Sequence, residues 1–280
     1  MTAQGEQIPL AGVIGQPIHH SKSPALHAHW LGRYGIRGHY IPMPVAAEDL
    51  SDVLRALPRM GFRGVNITIP HKEVAVTLAD SVSDRAALIG AANTLTFRAD
   101  GSIHADNTDG YGFVANLKQN ASGWRAAAGP AIVLGAGGAA RAVISALLNE
   151  GVPRIVLTNR TRARSDMLKD HFGGRIKVVD WTRVAEFMEE AATLVNTTSL
   201  GMTGKPELSV DISGLPTTAL VTDIVYTPLR TGLLERAQAH GCQTVDGLGM
   251  LIHQAVPGFE TWFGQRPEVD DAVRSVVLNA

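Results

Sequence analysis

A glycine-rich stretch in the second half of the chain has the spacing of a dinucleotide-binding turn. Residues 133–143 read VLGAGGAARAV, in which an apolar strand pattern runs into G-x-G-x-x-A and then into a helical pattern. In such a turn Gly135 allows the tight bend, Gly137 lets the backbone approach a pyrophosphate, and Ala140 lets the helix pack closely on the strand. The amides that open the helix then face the phosphates. The stretch therefore predicts dinucleotide binding.

The residues after the next predicted strand are basic where an acidic residue is usual. An Asp or Glu about twenty residues after the glycines normally accepts hydrogen bonds from the adenosine ribose. Here the neighbourhood contains Asn159, Arg160, Thr161, Arg162 and Arg164. Guanidinium groups bind phosphate oxygens in a forked, charge-assisted geometry, so two arginines would favour NADP over NAD by roughly tens- to thousands-fold. We expect Arg160 and Arg164 to contact the 2′-phosphate, Arg162 to be solvated, and Asn159 or Thr161 to cap the next helix and touch the ribose or its phosphate.

A third group of polar residues lies in the first 110 positions. In GVNITIPHK (64–72), strand alternation puts Asn66 and Thr68 on the polar face, Pro70 ends the strand, and Lys72 follows in the next turn. Similar candidates in turns or at helix starts are Ser21, Ser23, Asn93 and Asp109. Each fits a structural role when taken alone, as a cap, a turn former or a surface charge. Their concentration in one domain favours a substrate site.

The hydrophobic patterning predicts two α/β units that position these residues. From about residue 131 onward, short apolar runs alternate with helical patterns, which is typical of a doubly wound parallel sheet. These runs lie at 131–135, 154–158, 193–198, 220–226 and 243–247. The first 110 residues contain three strand candidates, LAGVIG, GHYIPMPV and GVNITIP, with helical stretches at about 24–34, 46–60 and 72–79 and a hairpin at 94–106.

The fold prediction follows from that division. We expect two α/β domains with a cleft between them, the second a Rossmann-type doubly wound parallel sheet. The predicted bounds are 1–110 for a substrate-binding and catalytic domain, 111–246 for the NADP-binding domain, and 247–280 for C-terminal helices that complete the first domain.

Composition and charge exclude several classes of partner. The chain has 280 residues and a formal net charge of −1, with lysines and arginines spread along it, so no electrostatic case exists for nucleic acid or anionic lipid. Glu6 stands where a signal peptide would be basic, and the most apolar stretch, 126–148, is interrupted by glycines and Arg141. We therefore expect a soluble, cytoplasmic protein with a small-molecule partner. Cys242 is the only cysteine, which excludes an intrachain disulfide.

Four histidines near the start of the chain do not predict a metal site. His19, His20, His27 and His29 are close in sequence, but no acidic ligands accompany them at a site-like spacing. We expect no bound metal.

Nine blocks of the sequence together resemble the shikimate dehydrogenase family, in the family's order and spacing over nearly the whole chain. They are GQPIHHSKSPALH, NITIPHK, IGAANT, DNTDGYG, LGAGGAARA, NRT, NTTSLGM, DIVYTP and DGLGMLIHQA. The resemblance implies reversible NADPH-dependent reduction of 3-dehydroshikimate to shikimate, a step of aromatic amino acid biosynthesis, with the substrate held between two domains.

The resemblance also assigns roles to individual residues. Lys72 and Asp109 match the family's catalytic pair. The family's substrate contacts are matched by Ser21, Ser23, Thr68, Asn93, Tyr226 and Gln254. Its cofactor loop and NADP-selective segment are matched by Gly135, Ala136, Gly137, Gly138, Ala139, Asn159, Arg160, Thr161 and Arg164, and further cofactor-lining positions by Ile224, Gly247 and Asp84. One departure is Ala28, where the family usually has asparagine.

The expected chemistry is simple. Hydride transfer to a ring carbonyl leaves negative charge on oxygen, which needs a proton donor within about 3 Å. Lys72 can supply the proton while Asp109 holds the ammonium group, and the sequence leaves open which of the two formally transfers it. Hydroxyl and amide side chains suit a small polyhydroxylated ring. No arginine stands among the expected carboxylate contacts, so two serines and Tyr226 would bind that group.

Two alternatives remain open from the sequence. The enzyme could oxidise quinate as well as shikimate, although the pair of serines with Ser23 favours shikimate. A protein that only senses NADPH would need the cofactor half alone, and the retained lysine, aspartate and hydroxyl set argues against it. The sequence does not decide between a monomer and a homodimer.

Overall fold

The computed structural model describes residues 8–280, and these form two compact units. The first unit contains the chain up to Thr108 together with Gln254–Ala280, and the second contains Asp109–His253. The first predicted domain starts at residue 1, and residues 1–7 lie outside the described part. The structure divides the chain at 108/109 and 253/254, so the first turns of the helix after residue 247 belong to the second unit.

The strands and helices alternate along most of the chain. The strands are β1 (Leu10–Gly15), β2 (His39–Pro44), β3 (Phe62–Ile67), β4 (Ser81–Val82), β5 (Thr94–Phe97), β6 (Ile103–Asp106), β7 (Ala131–Leu134), β8 (Ile155–Thr158), β9 (Ile176–Val178), β10 (Thr193–Asn196), β11 (Leu220–Asp223) and β12 (Gln243–Val245). The α-helices are α1 (Ser23–Arg33), α2 (Leu50–Ala56), α3 (Lys72–Leu78), α4 (Asp84–Ile89), α5 (Asp109–Asn120), α6 (Gly138–Asn149), α7 (Arg162–Phe172), α8 (Gly232–Ala239), α9 (Leu248–Phe263) and α10 (Asp271–Asn279). Short 3₁₀ segments occupy Leu57–Met60, Ala126–Ala128 and Trp181–Glu190.

The first unit is built on a mixed six-stranded sheet. Its strand order is β2-β1-β3-β5-β6-β4, in which β1 runs parallel to β2 and β3, and β5 runs antiparallel to both β3 and β6. The predicted hairpin at 94–106 is therefore the β5–β6 pair. Ile14, Val65, Ile67 and Leu95 lie in a buried cluster on this sheet, each at most 1% exposed. This cluster anchors the strand ends that carry the polar candidates.

The second unit is an all-parallel six-stranded sheet covered on both faces. Its order is β12-β11-β10-β7-β8-β9. Alternate residues of β7 enter different cores: Ala131 and Val133 join the cluster with α5, α6 and α7, whereas Ile132 and Leu134 join the one with α8. Burial on both faces explains why these strands read as continuous apolar runs. The predicted fold class, two α/β units with a parallel sheet in the second, is confirmed.

The strand order of the second unit creates a switch point between β7 and β10. The chain passes from β7 to β8 and β9 on one side of the sheet, then continues with β10, β11 and β12 on the other. Ligands of open parallel sheets bind at the carboxyl ends of the strands beside such a point. The glycine turn follows β7 and the NTTSLGM block follows β10, so both lie at this edge.

Within residues 8–280, no helix is both long and apolar enough to cross a bilayer.

Candidate functional site

The glycine turn divides into a packed part and an open part. Gly135 has φ +109°, and a Cβ there would lie 2.7 Å from Thr197 Oγ1. Gly137 and Gly138 are exposed, and a Cβ on either would meet no atom within 4 Å. Gly137 is the N-cap of α6 and makes no side-chain cap hydrogen bond, so the first helical amides lack a side-chain acceptor. Uncovered amides behind exposed glycines fit a pyrophosphate.

The remaining residues of the turn complete its packing. Ala136 is buried and Ala139 is half-buried on the first turn of α6. Ala140 is fully buried in the core beneath the sheet, as its place in the motif requires.

The basic segment after β8 differs in detail from the prediction. Thr161 is the N-cap of α7, but its side chain makes no cap hydrogen bond. Asn159 Nδ2 donates to the Thr161 carbonyl (2.9 Å), so it holds the backbone of the turn instead of capping the helix. The predicted side-chain cap from either residue is therefore wrong. The amides at the start of α7 remain without a side-chain acceptor.

The three arginines are not equivalent. Arg162 donates to Asp180 Oδ1 (2.6 Å) and lies 3.6 Å from Asp166 Oδ2, so it is exposed but ion-paired rather than merely solvated. Arg160 and Arg164 are exposed, and neither forms an ion pair within the described part of the chain. The two arginines predicted to contact phosphate are thus the two whose guanidinium groups form no ion pair within the described residues; we call them the uncommitted arginines.

A buried carboxylate organises the loops after β10 and β11. Asp223 accepts hydrogen bonds from Asn196 Nδ2 (2.9 Å), the Val225 amide (3.0 Å) and Thr231 Oγ1 (2.8 Å). Burial raises the pKa of Asp223, although these three donors oppose the shift. The Asn196 carbonyl accepts from the Ile224 amide (3.1 Å). Sequence reasoning missed Asn196 and Asp223, and their only signal was membership of the NTTSLGM and DIVYTP blocks.

These loops position three of the predicted residues. Ile224 and Tyr226 follow Asp223 and are half-buried, and burial raises the pKa of the Tyr226 phenol. Gly247 lies so close to the Ile224 carbonyl that any side chain at 247 would collide with it. Thr197 Oγ1 donates to the Leu134 carbonyl (2.7 Å), which joins the β10 loop to the glycine turn.

In the first unit, Lys72 begins helix α3 at the end of a turn fixed by backbone hydrogen bonds. The His71 amide donates to the Thr68 carbonyl (2.9 Å), and the Thr68 amide donates to the Ile14 carbonyl (2.9 Å). The Lys72 carbonyl accepts from the Ala92 amide (2.8 Å). Thr68 is thereby held to the end of β1, and Lys72 is held to the loop that precedes Asn93.

Asn93 is the centre of a buried hydrogen-bond network. Its Nδ2 donates to Thr108 Oγ1 (3.0 Å) and to Gln254 Oε1 (3.1 Å). Its Oδ1 accepts from the Thr108 amide (2.8 Å) and Thr94 Oγ1 (2.9 Å). Thr108 Oγ1 also donates to the Gln254 carbonyl (2.8 Å). Two predicted substrate contacts, Asn93 and Gln254, are therefore brought together, and Thr108 is the residue that precedes Asp109.

Asn66, the other polar-face candidate on β3, has a structural position. It is 5% exposed, accepts from the Tyr40 hydroxyl (2.7 Å) and donates through Nδ2 to the Asn93 carbonyl (3.1 Å). Asn66 thus holds the backbone of Asn93 in place through this hydrogen bond.

The two serines lie at the start of α1. Ser23 is buried, at 7% exposed. Ser21 Oγ accepts from the Ser23 amide (3.3 Å) and is half-buried. Lys22, between them, is the N-cap residue of α1 and makes no side-chain cap hydrogen bond. Lys22 therefore does not cap α1 through its side chain, and the turn is held locally by the bond from the Ser23 amide to Ser21 Oγ and by the Ser21 amide, which donates to the Ile18 carbonyl (3.0 Å).

His27 of the same block belongs to the core. Its Nδ1 donates to the Ser23 carbonyl (2.9 Å), and its ring stacks on Tyr40 with centroids 3.7 Å apart. Burial lowers its pKa from 6.5 to about 3, so the imidazole is neutral at ordinary pH.

Asp84 lies in the first unit, on helix α4. It is the exposed first residue of α4, after the N-cap Ser83, whose hydroxyl accepts from the Ala86 amide (3.2 Å). Its cofactor role stays a prediction.

Comparison with known proteins matches the chain to one family along most of its length. Three family models match: the shikimate dehydrogenase substrate binding domain over residues 13–95, shikimate/quinate 5-dehydrogenase over 117–203, and the shikimate 5′-dehydrogenase C-terminal domain over 247–278. A shikimate dehydrogenase (NADP⁺) of Cereibacter sphaeroides is 65% identical over 97% of this chain and 98% of its own. One from Paracoccus denitrificans is 62% identical over 96% of each chain.

Solved structures are similar over the whole chain. Shikimate 5-dehydrogenase of Thermus thermophilus, in complex with NADP(H) and shikimate, has a TM-score of 0.85 and 36% identity, covering 97% of this chain and 99% of its own. Quinate dehydrogenase of Corynebacterium glutamicum, in complex with NAD, has a TM-score of 0.91 and 32% identity, covering 98% of this chain and 100% of its own.

Proposed function

This chain belongs to the shikimate dehydrogenase family, and from that membership we propose that it catalyses the reversible, NADPH-dependent reduction of 3-dehydroshikimate to shikimate. The 65% identity to an NADP⁺-dependent shikimate dehydrogenase supports both the reaction and the cofactor. The assignment of individual residues to roles is part of the same proposal.

One observation carries the residue assignment. A hydrogen-bonded path runs from the Lys72 carbonyl through the Ala92 amide to the next residue, Asn93, whose side chain holds both the amide and the hydroxyl of Thr108. Asp109 is the next residue after Thr108. Such a path supports a preorganised lysine and aspartate, because positions fixed by several hydrogen bonds cost little to order during the reaction.

Lys72 and Asp109 are proposed to act as the acid–base pair. When bound, NADPH supplies a hydride to the ring carbonyl carbon. The Lys72 ammonium group donates a proton to the carbonyl oxygen as negative charge develops there, and the Asp109 carboxylate orients the ammonium group. In the oxidation direction the same pair accepts the hydroxyl proton.

The substrate is proposed to be held by hydroxyl and amide groups. Asn93 and Gln254, already paired in the first unit, provide an amide set for the ring hydroxyls, with Thr68 beside Lys72. Ser21, Ser23 and Tyr226 bind the carboxylate in this assignment. The Tyr226 phenol is protonated at neutral pH, since burial raises a pKa that is ordinarily already 10.0, and it can donate a hydrogen bond to that group.

The cofactor assignment uses the open part of the glycine turn and the uncommitted arginines. The exposed Gly137 and Gly138 with the amides of α6 would hold the pyrophosphate, and Arg160 and Arg164 the 2′-phosphate. Gly135 forms the tight turn of the same loop, and Ile224 and Gly247 are proposed to line the cofactor.

The test is an absorbance assay at the reduced-nicotinamide band. The protein is mixed with shikimate and either NADP⁺ or NAD⁺, and with quinate and NADP⁺ in a parallel arm. We expect shikimate-dependent reduction that is at least tenfold more efficient with NADP⁺. A lack of shikimate-dependent signal with both cofactors contradicts the proposal, and equal efficiency with quinate would make the enzyme a dual dehydrogenase.

A further inference from the structure

The side chain of Lys22 forms hydrogen bonds at the carboxyl end of helix α10. Its Nζ donates to the carbonyls of Val277 (2.9 Å), Leu278 (3.4 Å) and Ala280 (3.1 Å), in and just beyond the last turn of α10. The bonded residues are separated by 255 to 258 positions in sequence. Lys22 lies between Ser21 and Ser23, so the amine is attached to the turn that presents the two serine hydroxyls.

The physical setting favours this contact. The last carbonyls of an α-helix have no partner within the helix and lie at the negative end of its dipole, where an ammonium group is stabilising. A lysine at the N-cap of its own helix is in a mildly unfavourable place, because that end of the dipole is positive. For the Lys22 ammonium group, the favourable interaction with the C-terminal carbonyls of α10 therefore exceeds the unfavourable interaction with the N-terminus of α1.

The same two helices are joined again at their opposite ends. Arg33, at the end of α1, donates to Asp270 Oδ2 (2.5 Å) and Glu268 Oε2 (3.0 Å). Trp30 Nε1 donates to the Glu268 carbonyl (3.1 Å). The start of α1 thus contacts the end of α10, and the end of α1 contacts the start of α10, so the two helices are antiparallel. We call the hydrogen-bonded contact at each end a tie: the Lys22 tie and the Arg33 tie.

Only one of the two ties is next to predicted substrate contacts. The Arg33 tie is about three turns of helix from the serines, whereas the Lys22 tie is one residue from each of them. The Ser21 hydroxyl is only half-buried and its one hydrogen bond within the turn is long, at 3.3 Å. Its placement therefore depends on how firmly residue 22 is held.

We propose that Lys22 is a positioning residue for the substrate: by binding the carboxyl end of α10, it fixes the Ser21 to Ser23 turn in the conformation that receives the substrate carboxylate. This inference rests on the proposed function, since it assigns the two serines to shikimate. Without the tie the turn samples other conformations, and the apparent affinity falls with the population that can bind.

The experiment compares three variants, with shikimate varied at saturating NADP⁺ and NADP⁺ varied at saturating shikimate. Lys22→Met keeps the aliphatic stem and removes the donor, Lys22→Arg keeps a donor of the same charge, and Arg33→Gln weakens the same helix pair at its other end. We expect Lys22→Met to raise the KM for shikimate by about 5- to 20-fold, with kcat and the KM for NADP⁺ within about twofold of the wild type. Lys22→Arg should restore most of the affinity.

Arg33→Gln separates positioning from general loosening. We expect it to lower the melting temperature about as much as Lys22→Met while leaving the KM for shikimate within about twofold. Equal increases of KM in Lys22→Met and Arg33→Gln, or no increase in Lys22→Met, would overturn the proposal. Should Lys22→Met be insoluble, Lys22→Gln takes its place with the same criteria. A wild-type protein inactive on shikimate would instead remove the proposed function itself.

Discussion

Lys72 is the residue at which catalysis and binding can be separated. Its backbone is part of the hydrogen-bonded turn, whereas the proposed proton transfer needs only the side chain. Lys72→Ala should therefore lower kcat by about 10²- to 10⁴-fold and leave the KM for NADP⁺ within about twofold, because general acid catalysis contributes on this scale. Steady-state kinetics checks this, with Lys169→Ala, an exposed lysine on α7, as the control. A parallel loss of NADP⁺ affinity would mean that Lys72 is structural.

The sequence predicts which side chains are suited to a site, but it does not predict which of them are already bonded to other protein groups. The contrast between Arg160 and Arg162 depends on Asp180, eighteen positions later, which no local pattern brings next to Arg162. Asn66 has the strand position of a site residue, but its amide is consumed by Tyr40 and Asn93. Sequence patterning identifies which residues can do chemistry, and only tertiary contacts decide which are already occupied.

The uncommitted arginines predict a defined loss of cofactor selectivity. Arg160→Ala and Arg164→Ala should each raise the KM for NADP⁺ by roughly 10- to 100-fold and leave that for NAD⁺ almost unchanged, because each charge-assisted bond contributes about 1.5–3 kcal/mol. Arg162→Ala is the matched control, since its guanidinium is paired with Asp180. Kinetics with both cofactors measures the ratio. An Arg162→Ala effect as large as the other two would refute the assignment.

At the level of elements, two glycines in the turn after β7, Gly135 and Gly137, have different structural roles. Gly135 has a positive φ and lies against Thr197, whereas Gly137 has φ −92° and open space. Alanine at 135 should therefore cost about 1–3 kcal/mol of unfolding free energy. Alanine at 137 should leave the melting temperature within about 1 °C and raise the KM for NADP⁺ by about tenfold, because its methyl group would occupy the space of the pyrophosphate. Thermal melts and kinetics on both variants decide; a destabilised Gly137→Ala with normal NADP⁺ binding would contradict this division.

The elements themselves were predictable where they are long and regular. The helical pattern predicted after the glycine turn is α6 at Gly138–Asn149, and the run at 131–135 is β7 at Ala131–Leu134. The strands β4 and β9 have two and three residues, too few to show a period of two, and were not predicted; β12 is equally short and was predicted only within the longer run at 243–247. The run predicted at 220–226 ends at Asp223, since that carboxylate turns the chain by accepting the Val225 amide.

At the scale of the whole molecule, each unit has a core of its own, and the core of the first contains an ionisable group. His27 titrates near pH 6.5 in the unfolded chain but only near pH 3 when folded, because burial disfavours its charged form. The unfolded state therefore binds the additional proton between these values. The contribution of neutral His27 to the free energy of unfolding is therefore full above pH 6.5. It is lost as the pH falls toward 3, by an amount on the order of a few kcal/mol.

His27→Leu should reduce this acid sensitivity. We expect the difference in unfolding free energy between pH 7.5 and pH 4.5 to be smaller in the variant than in the wild type, although His253, with its pKa lowered to about 4 by burial, keeps part of it. Urea unfolding at the two pH values measures the difference. Identical pH dependence in the two proteins would show that His27 does not drive it.

The single sulfur atom has a practical consequence. Cys242 is 5% exposed, its thiol donates to the Pro216 carbonyl (3.5 Å), and burial raises its pKa, so the reactive thiolate is scarce while the chain is folded. It lies in the second unit, and the first contains no sulfhydryl group. The rate at which an alkylating reagent consumes this thiol therefore reports the opening of the second unit, and NADP⁺ bound there as proposed should slow that rate by a factor of about 1 plus the ratio of the NADP⁺ concentration to its Kd.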